Sequence, residues 1–330
     1  MTETTHQVLN LFQIRKTKKQ KRAFAAFVLQ KAQENGYTAY TEKGSYGSEN
    51  IVVGNIAEAD VIYTAHYDTC PQLPVPNLIT PKNLGLFLLY QLALSLGIIG
   101  VIWTVDFLIG FGVGYFGTLL GIDDAALLGK FAYILSLAGM LAIIWLLLAG
   151  PANKHTVNDN TSGVVTLLEI MQAMPDELRA RAAFVFFDME EVGLIGSVSF
   201  ATMHKTLLAK KPVINFDCVS DGETMLFCVK KKAWHTVPLL EQVFVSDETV
   251  TVDIATKGFI YPSDQLVFPC GIGVAALKKS KRGVLYLDRI HTKRDVIFRE
   301  ENIRYLTEKS ILLCRQLSTL DGITTDGSTK

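Results

Sequence analysis

Apolar and polar positions alternate along most of the chain in short blocks that predict helices and strands. Positions 18–35 repeat apolar residues at helical spacing and end at Gly36, which predicts a helix; the apolar runs 50–54 and 61–65 predict buried strands. Later blocks predict helices at 162–174, 196–205 and 301–317, and strands at 183–188, 225–229, 250–254, 273–277 and 284–287. Strands that alternate with helices across long connections are typical of an α/β fold with a parallel or mixed sheet.

The middle of the chain departs from this pattern because it is almost wholly apolar. The runs at 84–105 and 131–149 are each close to the ~20 residues that cross ~30 Å of hydrocarbon. Between positions 83 and 153 the charged side chains are Asp106, Asp123, Asp124 and Lys130. A buried helical hairpin of a soluble protein rarely lacks charge over such a length, so this block predicts a transmembrane helical hairpin.

Composition argues against some classes of partner. The formal net charge is +0 and the chain has no basic stripe, which argues against nucleic-acid binding. The cysteines are scattered without C-x-x-C spacing, which favours reduced thiols in the cytosol over a disulfide framework. These cysteines are Cys70, Cys218, Cys228, Cys270 and Cys314.

Acidic residues and histidines follow several of the predicted strands, at the positions where ligand sites collect in α/β folds. His66 and Asp68 follow the run 61–65, and the later members of the set are Asp159, Glu190, Glu191, Asp217 and His291. Two imidazoles and several carboxylates are the ligand set that two hydrolytic zinc ions need. We expect no functional role for the other histidines, which are His6, His155, His204 and His235.

The glycine-rich piece at 107–122 could be a third span, a re-entrant segment, or a segment packed closely against neighbouring helices. If His66 and Asp159 bind the same metal pair, the intervening block crosses the membrane an even number of times. Two full spans, with 107–122 not crossing, are the simplest solution. The expected organisation is then a catalytic domain in two parts, 1–82 and 151–320, with a transmembrane insertion at 83–150 and a polar tail at 321–330.

Basic residues indicate on which side of the membrane the catalytic parts lie. Lys82 and Lys154 flank the insertion, whereas the charged residues between its two apolar runs are Asp106, Asp123 and Asp124 against the single Lys130. A basic run also precedes the first predicted strand, and it contains Arg15, Lys16, Lys18, Lys19, Lys21 and Arg22. By the positive-inside tendency, we expect an integral membrane protein whose catalytic domain is cytoplasmic.

The order of these residues resembles the co-catalytic two-zinc exopeptidases, a family that contains bacterial leucyl aminopeptidases, glutamate carboxypeptidases and glutaminyl cyclases. The matching strings are TAHYDT at 64–69, NDNTSG at 158–163, FDMEEVGLIGS at 187–197, NFD at 215–217, SDQLVF at 263–268 and IHTKRD at 290–295. The resemblance extends from about position 13 to 317, apart from the apolar block. It implies a single α/β domain with helices on both faces of a mixed sheet.

The resemblance also implies roles for individual residues. Asp159 would bridge two zinc ions, with His66 and Asp217 completing one ion and Glu191 and His291 the other. A shared carboxylate between two cations relieves their mutual repulsion.

Further roles follow from the same motifs. Glu190 resembles the general base that takes a proton from activated water, and Asp68 resembles the acid that orients a ligand imidazole. The Asp159–Asn160 bond falls where the family often has a cis peptide. Gln265 stands where the family frequently has a His or Tyr that contacts substrate.

The resemblance implies a membrane-anchored zinc-dependent aminopeptidase that hydrolyses short peptides through a water activated by two metal ions. One alternative is a glutaminyl-cyclase-like acyltransferase, which uses one zinc ion and a reduced ligand set. A second is a membrane-anchored, non-catalytic binding protein, and carboxypeptidase or deacylase activity is also open. The expected partners are short peptides and the lipid bilayer, with a possible homo-oligomer formed through the glycine-rich piece.

Overall fold

A computed structural model describes residues 2–326. Its helices are α1 (Glu3–Leu11), α2 (Lys18–Glu34), α3 (Leu84–Leu119), α4 (Ala125–Ala149), α5 (Gly163–Ala173), α6 (Ile195–Met203), α7 (Val237–Val243) and α8 (Glu300–Asp326). Its strands are β1 (Ala39–Lys43), β2 (Glu49–Val53), β3 (Val61–His66), β4 (Ala182–Phe187), β5 (Val213–Phe216), β6 (Thr224–Val229), β7 (Thr251–Ala255), β8 (Gly271–Lys279) and β9 (Leu285–Tyr286). Most of the predicted elements are therefore confirmed, with small shifts at their ends.

Within residues 2–326, the strands form one nine-stranded mixed sheet. The order is β1-β2-β4-β3-β5-β8-β6-β7, and β9 pairs with β8. The central strands β4, β3, β5 and β8 run parallel to one another. At the margins, β2 joins β4 and β6 joins β8 in antiparallel fashion. The parallel block brings the carboxyl ends of β4, β3 and β5 to one edge of the sheet.

Both faces of the central strands are buried, because alternate side chains enter different hydrophobic clusters. Tyr63 and Phe184 enter the cluster to which α2, α5 and α8 also contribute. Their neighbours Ile62 and Ala183 enter a second cluster, which contains Phe200 from α6. The predicted fold class, a mixed sheet flanked by helices, is confirmed.

The chain divides into two compact units. The sheet unit comprises Met1–Leu84 and Ala152–Lys330, and the helical unit comprises Gly85–Pro151. Within the sheet unit, an isolated antiparallel bridge between Pro71 and Ala152 joins the segments that come before and after the helical unit in sequence.

The helical unit differs from the prediction for the glycine-rich piece. The predicted first span ends near 105, but α3 continues without a break through the glycines to Leu119 and is 36 residues long. Each glycine costs a helix about 1 kcal/mol relative to alanine. No proline interrupts the run, and its many Leu, Ile and Phe side chains are compatible with a helix. Both α3 and the 25-residue α4 are long and apolar enough to cross a membrane.

Other differences lie at the ends of the chain and in short elements. α1, β1 and α7 were not predicted, since each is short or carries a weak apolar pattern. The terminal helix continues to Asp326, so the predicted polar tail at 321–330 is helical in its first part. A helix end needs no apolar stripe, and polarity alone therefore placed its boundary too early. Residues 327–330 lie outside the described part of the chain.

Candidate active site

Neighbouring parallel strands carry most of the predicted site residues. His66 is the last residue of β3, Asp217 directly follows β5, and the Glu190–Glu191 pair follows β4. Because β3 pairs with β4 on one side and with β5 on the other, these side chains meet at one edge of the sheet. Asp159 reaches the same edge from the segment before α5, and His291 reaches it from the loop before α8.

Asp159, His66 and Asp217 form one compact group of donors. His66 Nε2 lies 3.3 Å from Asp159 Oδ1 and 3.7 Å from Asp217 Oδ1. All three residues are buried, and their candidate ligand atoms lie within 4.8 Å of one another. One cation can contact all three donors at this spacing.

His291 and Glu191 form a second group on the other side of Asp159. His291 Nε2 lies 2.9 Å from Asp159 Oδ2 and 3.3 Å from Glu191 Oε2. The two carboxylate oxygens of Asp159 therefore face different imidazoles. A carboxylate in this arrangement is suited to lie between two cations.

Hydrogen bonds hold the segment that carries Asp159. The carboxylate of Asp295 accepts from the backbone N–H groups of Asn158 and Asp159, at 2.6 and 3.0 Å. The side chain of Asn160 donates to the backbone oxygen of Phe216 at 3.0 Å, which ties the segment to the end of β5. The Asp159–Asn160 peptide is cis, as predicted from the motif.

Asp68 contacts both the first imidazole and the turn after β4. Its carboxylate accepts from the backbone N–H of Glu190 at 3.0 Å and from that of Glu191 at 3.2 Å. His66 Nδ1 lies 3.6 Å from Asp68 Oδ1 and 3.2 Å from the backbone oxygen of Asp68. The motif predicted only the contact with the imidazole. The two backbone contacts show that Asp68 also positions the Glu190–Glu191 pair.

Acidic groups dominate the electrostatics of the site. Burial acts to lower the pKa of each imidazole, but the surrounding carboxylates outweigh it. Glu190 and Asp159 are the main causes that raise the pKa of His66 well above its usual value. Glu191 and Asp159 raise the pKa of His291 to about 9.

The excess of acidic groups also raises the pKa of some of the carboxyl groups themselves. Burial raises the pKa of Glu191 to about 8, and burial with nearby acidic groups raises the pKa of Glu190 well above its usual value. In addition, Glu191 Oε1 is buried and has no hydrogen-bond partner among the described residues. Several buried carboxylates without enough positive charge nearby, together with two imidazoles, are typical of a site for a divalent metal ion. Carboxylate oxygens and imidazole nitrogens are ligands of zinc, so the residues fit this metal.

Asp264 is a further acidic residue near the site whose importance the sequence reasoning missed. It is fully buried, and burial raises its pKa to about 7, partly offset by His66. Its charge is one of the causes that raise the pKa of Glu190. Asp264 lies within the string SDQLVF at 263–268, but the motif alone does not show that its carboxyl group is buried next to Glu190.

Gln265 makes its polar contacts inside the protein. Its Nε2 donates to the backbone oxygen of Tyr261 at 2.7 Å, and its Oε1 accepts from Asn215 Nδ2 at 3.3 Å. Tyr261 in turn donates from its hydroxyl to the backbone oxygen of Asp217 at 3.0 Å. Gln265 thus supports the strand end that carries Asp217.

Arg15 belongs to the basic run before the first predicted strand, but its side chain does not lie at the surface. The residue is fully buried. Its guanidinium donates to the backbone oxygen of Tyr67 and, at 3.1 Å, to Thr161 Oγ1. Arg15 therefore links the segments around His66 and Asp159 and adds nothing to the surface charge.

Part of the chain matches a known protein family. Residues 147–308 match the model of peptidase family M28. The matched range includes Asp159, Glu190, Glu191, Asp217 and His291. No curated protein matches the chain significantly.

Solved structures of low sequence identity share the fold. The LapA aminopeptidase of Legionella pneumophila matches at a TM-score of 0.56 and 13% identity, over 96% of this chain and 70% of LapA. A glutaminyl cyclase of Porphyromonas gingivalis matches at 0.55 and 16% identity, over 95% and 96% of the two chains. A Zn-dependent exopeptidase of Parabacteroides distasonis matches at 0.53 and 14% identity, over 94% of each. Residues 147–308 are therefore similar in sequence to peptidase family M28, and the chain shares its fold with these solved structures.

Proposed function

We propose that the protein is a membrane-anchored, zinc-dependent aminopeptidase that acts on short peptides. The observation that carries the proposal is the position of Asp159, whose two oxygens face His66 and His291 respectively. Such an arrangement suits hydrolysis at a pair of metal ions. The similarity in fold to an aminopeptidase and to a Zn-dependent exopeptidase supports the same reaction class.

In this proposal each of the two groups of ligand residues would hold one zinc ion. His66 and Asp217 would hold one ion, Glu191 and His291 the other, and Asp159 would contact both. Bound zinc supplies Lewis acidity, which polarises a carbonyl group and lowers the pKa of water. Asp68 and Asp295 then act as positioning residues, since their carboxylates hold the backbone beside Glu191 and Asp159.

Glu190 is the residue that we assign to proton transfer. It accepts a proton from the attacking water and donates it to the amine that leaves when the peptide bond breaks. Burial and neighbouring acids raise the pKa of Glu190, which makes its carboxylate a better proton acceptor than an exposed one. The backbone N–H of Glu190 donates a hydrogen bond to Asp68, which holds Glu190 near the proposed metal ligands.

A glutaminyl-cyclase-like acyl transfer is the second candidate. The observation that favours it is the match to the Porphyromonas gingivalis cyclase, which covers 96% of that chain compared with 70% of LapA. The presence of both donor groups, with Glu191 and His291 in place, favours hydrolysis with two ions over acyl transfer with one.

The test compares substrates and one variant on detergent-purified protein. We expect cleavage of amino-acid amides and short peptides with a free N-terminus, no cleavage of their N-acetylated forms, and no cyclisation of glutaminyl peptides. Glu190→Gln is expected to keep its metal and lose roughly 10²–10⁴-fold in turnover, the contribution of a general base.

The matched control is Glu58→Gln, which changes an exposed carboxylate next to Asn55 and is expected to retain wild-type turnover. Cleavage of N-acetylated substrates at comparable rates would contradict the aminopeptidase assignment. Release of ammonia from glutaminyl peptides without hydrolysis would establish the cyclase instead. Full activity of Glu190→Gln would remove that residue from the reaction.

A further inference from the structure

Cys70 lies close to the second donor group and has no part in the function proposed above. It follows His66 by four positions, in the segment that leaves the end of β3, and its side chain is buried. Its Sγ, a carboxylate oxygen of Glu191 and a ring nitrogen of His291 all lie within 4.8 Å of one another. This is the same limit within which His66, Asp159 and Asp217 are grouped.

Glu191 supplies an independent indication that a cation belongs in this space. Its side chain is only 8% exposed, and Oε2 lies 3.3 Å from His291 Nε2. In the part of the chain that the structure describes, its other oxygen, Oε1, has no hydrogen-bond partner. A buried carboxylate oxygen without a donor is costly unless a cation completes its surroundings.

Lys16 and Asn153 are further neighbours of Cys70. Lys16 Nζ is buried, has no hydrogen-bond partner within residues 2–326, and is close enough to interact electrostatically with both Cys70 and Glu191. Burial, together with the charges of Glu191 and Asp159, raises the pKa of the Cys70 thiol well above its usual value, so an ion that binds here has to displace the thiol proton. The backbone oxygen of Cys70 also accepts from Asn153 N–H at 3.2 Å, which holds the residue in place.

We propose that Cys70 is a thiolate ligand of the ion held by Glu191 and His291, and the proposal rests on the metal centre proposed above. Binding forms a sulfur–metal bond and releases the thiol proton to solvent. With Asp159, this ion then has one sulfur, one nitrogen and carboxylate oxygens as four protein donors, a tetrahedral set that suits zinc.

The proposal makes the two metal positions unequal. Four protein ligands close the Glu191–His291 position, as in structural zinc sites, whereas three ligands leave a place open for water beside His66 and Asp217.

Cobalt substitution tests the ligand directly. The purified chain is stripped with a chelator, loaded with Co²⁺, and its absorption spectrum is recorded. We expect a thiolate-to-cobalt charge-transfer band in the near ultraviolet, lost in Cys70→Ser while the visible cobalt bands remain. The control is Cys218→Ser, which removes the other thiol beside a predicted ligand, since Cys218 Sγ donates to Asp217 Oδ1 at 3.1 Å. The band is expected to persist in this control.

Each other outcome is decisive. Visible cobalt bands without a charge-transfer band in the unmodified chain would overturn the role of Cys70 and leave the metal centre standing. A band that survives in Cys70→Ser, or that disappears in Cys218→Ser, would also overturn it. Failure of the unmodified chain to bind cobalt at all would overturn the metal centre itself. The visible bands of Cys70→Ser show whether that variant has folded.

Discussion

Glu190 and Asp264 show how burial and like charge act together on single residues. Burial raises the pKa of each carboxyl group, and the charge of Asp264 adds to the effect on Glu190. A proton acceptor with a raised pKa is a stronger base, but it is protonated over a wider range of acidic pH. Activity that depends on the ionised carboxylate of Glu190 is therefore lost as the pH falls through its raised pKa.

Asp264→Asn tests this coupling. Removing the negative charge lowers the pKa of Glu190, so the acidic limb of the pH profile of kcat/KM is expected to move to lower pH. The control is Asp253→Asn, which removes a carboxylate that pairs with Lys82 away from the site and is expected to leave the profile unchanged. An acidic limb that stays in place or moves to higher pH would show that Asp264 does not control the proton affinity of Glu190.

The sequence predicted the residues whose type and spacing are diagnostic, and missed contacts that depend on the folded chain. His66, Asp217 and the Glu190–Glu191 pair follow apolar runs, so the end of each strand was readable from the sequence. The hydrogen bonds from the Glu190–Glu191 backbone to Asp68 join residues more than 120 positions apart. The burial of Arg15 likewise depends on distant partners, and a basic residue in a basic run gives no sign of it.

At the scale of secondary-structure elements, α3 and α4 have the properties expected of membrane helices. Large apolar side chains are exposed on them, among them Leu89, Trp103 and Phe111. Soluble helices bury such residues on one face. At 1.5 Å per residue, the 36 residues of α3 span about 54 Å, well beyond the ~30 Å of a bilayer core. Tilting or extension beyond the core would accommodate the difference.

The orientation that we expect from the flanking charges would place the turn between α3 and α4 on the extracytoplasmic side. Asp123→Cys places a thiol in that turn, and an impermeant thiol reagent is expected to label it in intact cells. The five native cysteines are buried, so their background is low. Glu58→Cys, at an exposed position of the sheet unit, is expected to react only after the cells are permeabilised. The opposite pattern of labelling would reverse the orientation.

At the scale of the whole molecule, the helical unit interrupts an otherwise complete sheet unit. The bridge between Pro71 and Ala152 belongs to the sheet unit and needs no residue of the insertion. An anchor alone could have been attached at either terminus without disturbing the segments that lead to the site. We expect the insertion also to influence which peptides reach the site, favouring apolar peptides that partition to the bilayer interface.

Replacing residues 84–149 with a short soluble loop separates these roles. The shortened chain is expected to fold, to retain metal, and to hydrolyse polar peptides as the full chain does. Its kcat/KM for apolar peptides is expected to fall relative to that for polar peptides, measured against the full chain in vesicles. An unchanged ratio would mean that the hairpin serves only as an anchor.

The position of β3 in the sheet has a consequence for the order of events during synthesis. Both partners of β3, namely β4 and β5, come after the helical unit in the sequence. About 120 residues separate the ends of β3 and β4, and a ribosome that adds ~5–20 residues per second needs on the order of 6–24 s to make them. β3, which ends in His66, therefore has neither of its partner strands while the apolar helices leave the ribosome. We expect the nascent chain to reach the membrane before its metal ligands can assemble, which keeps the peptidase inactive until it has been delivered.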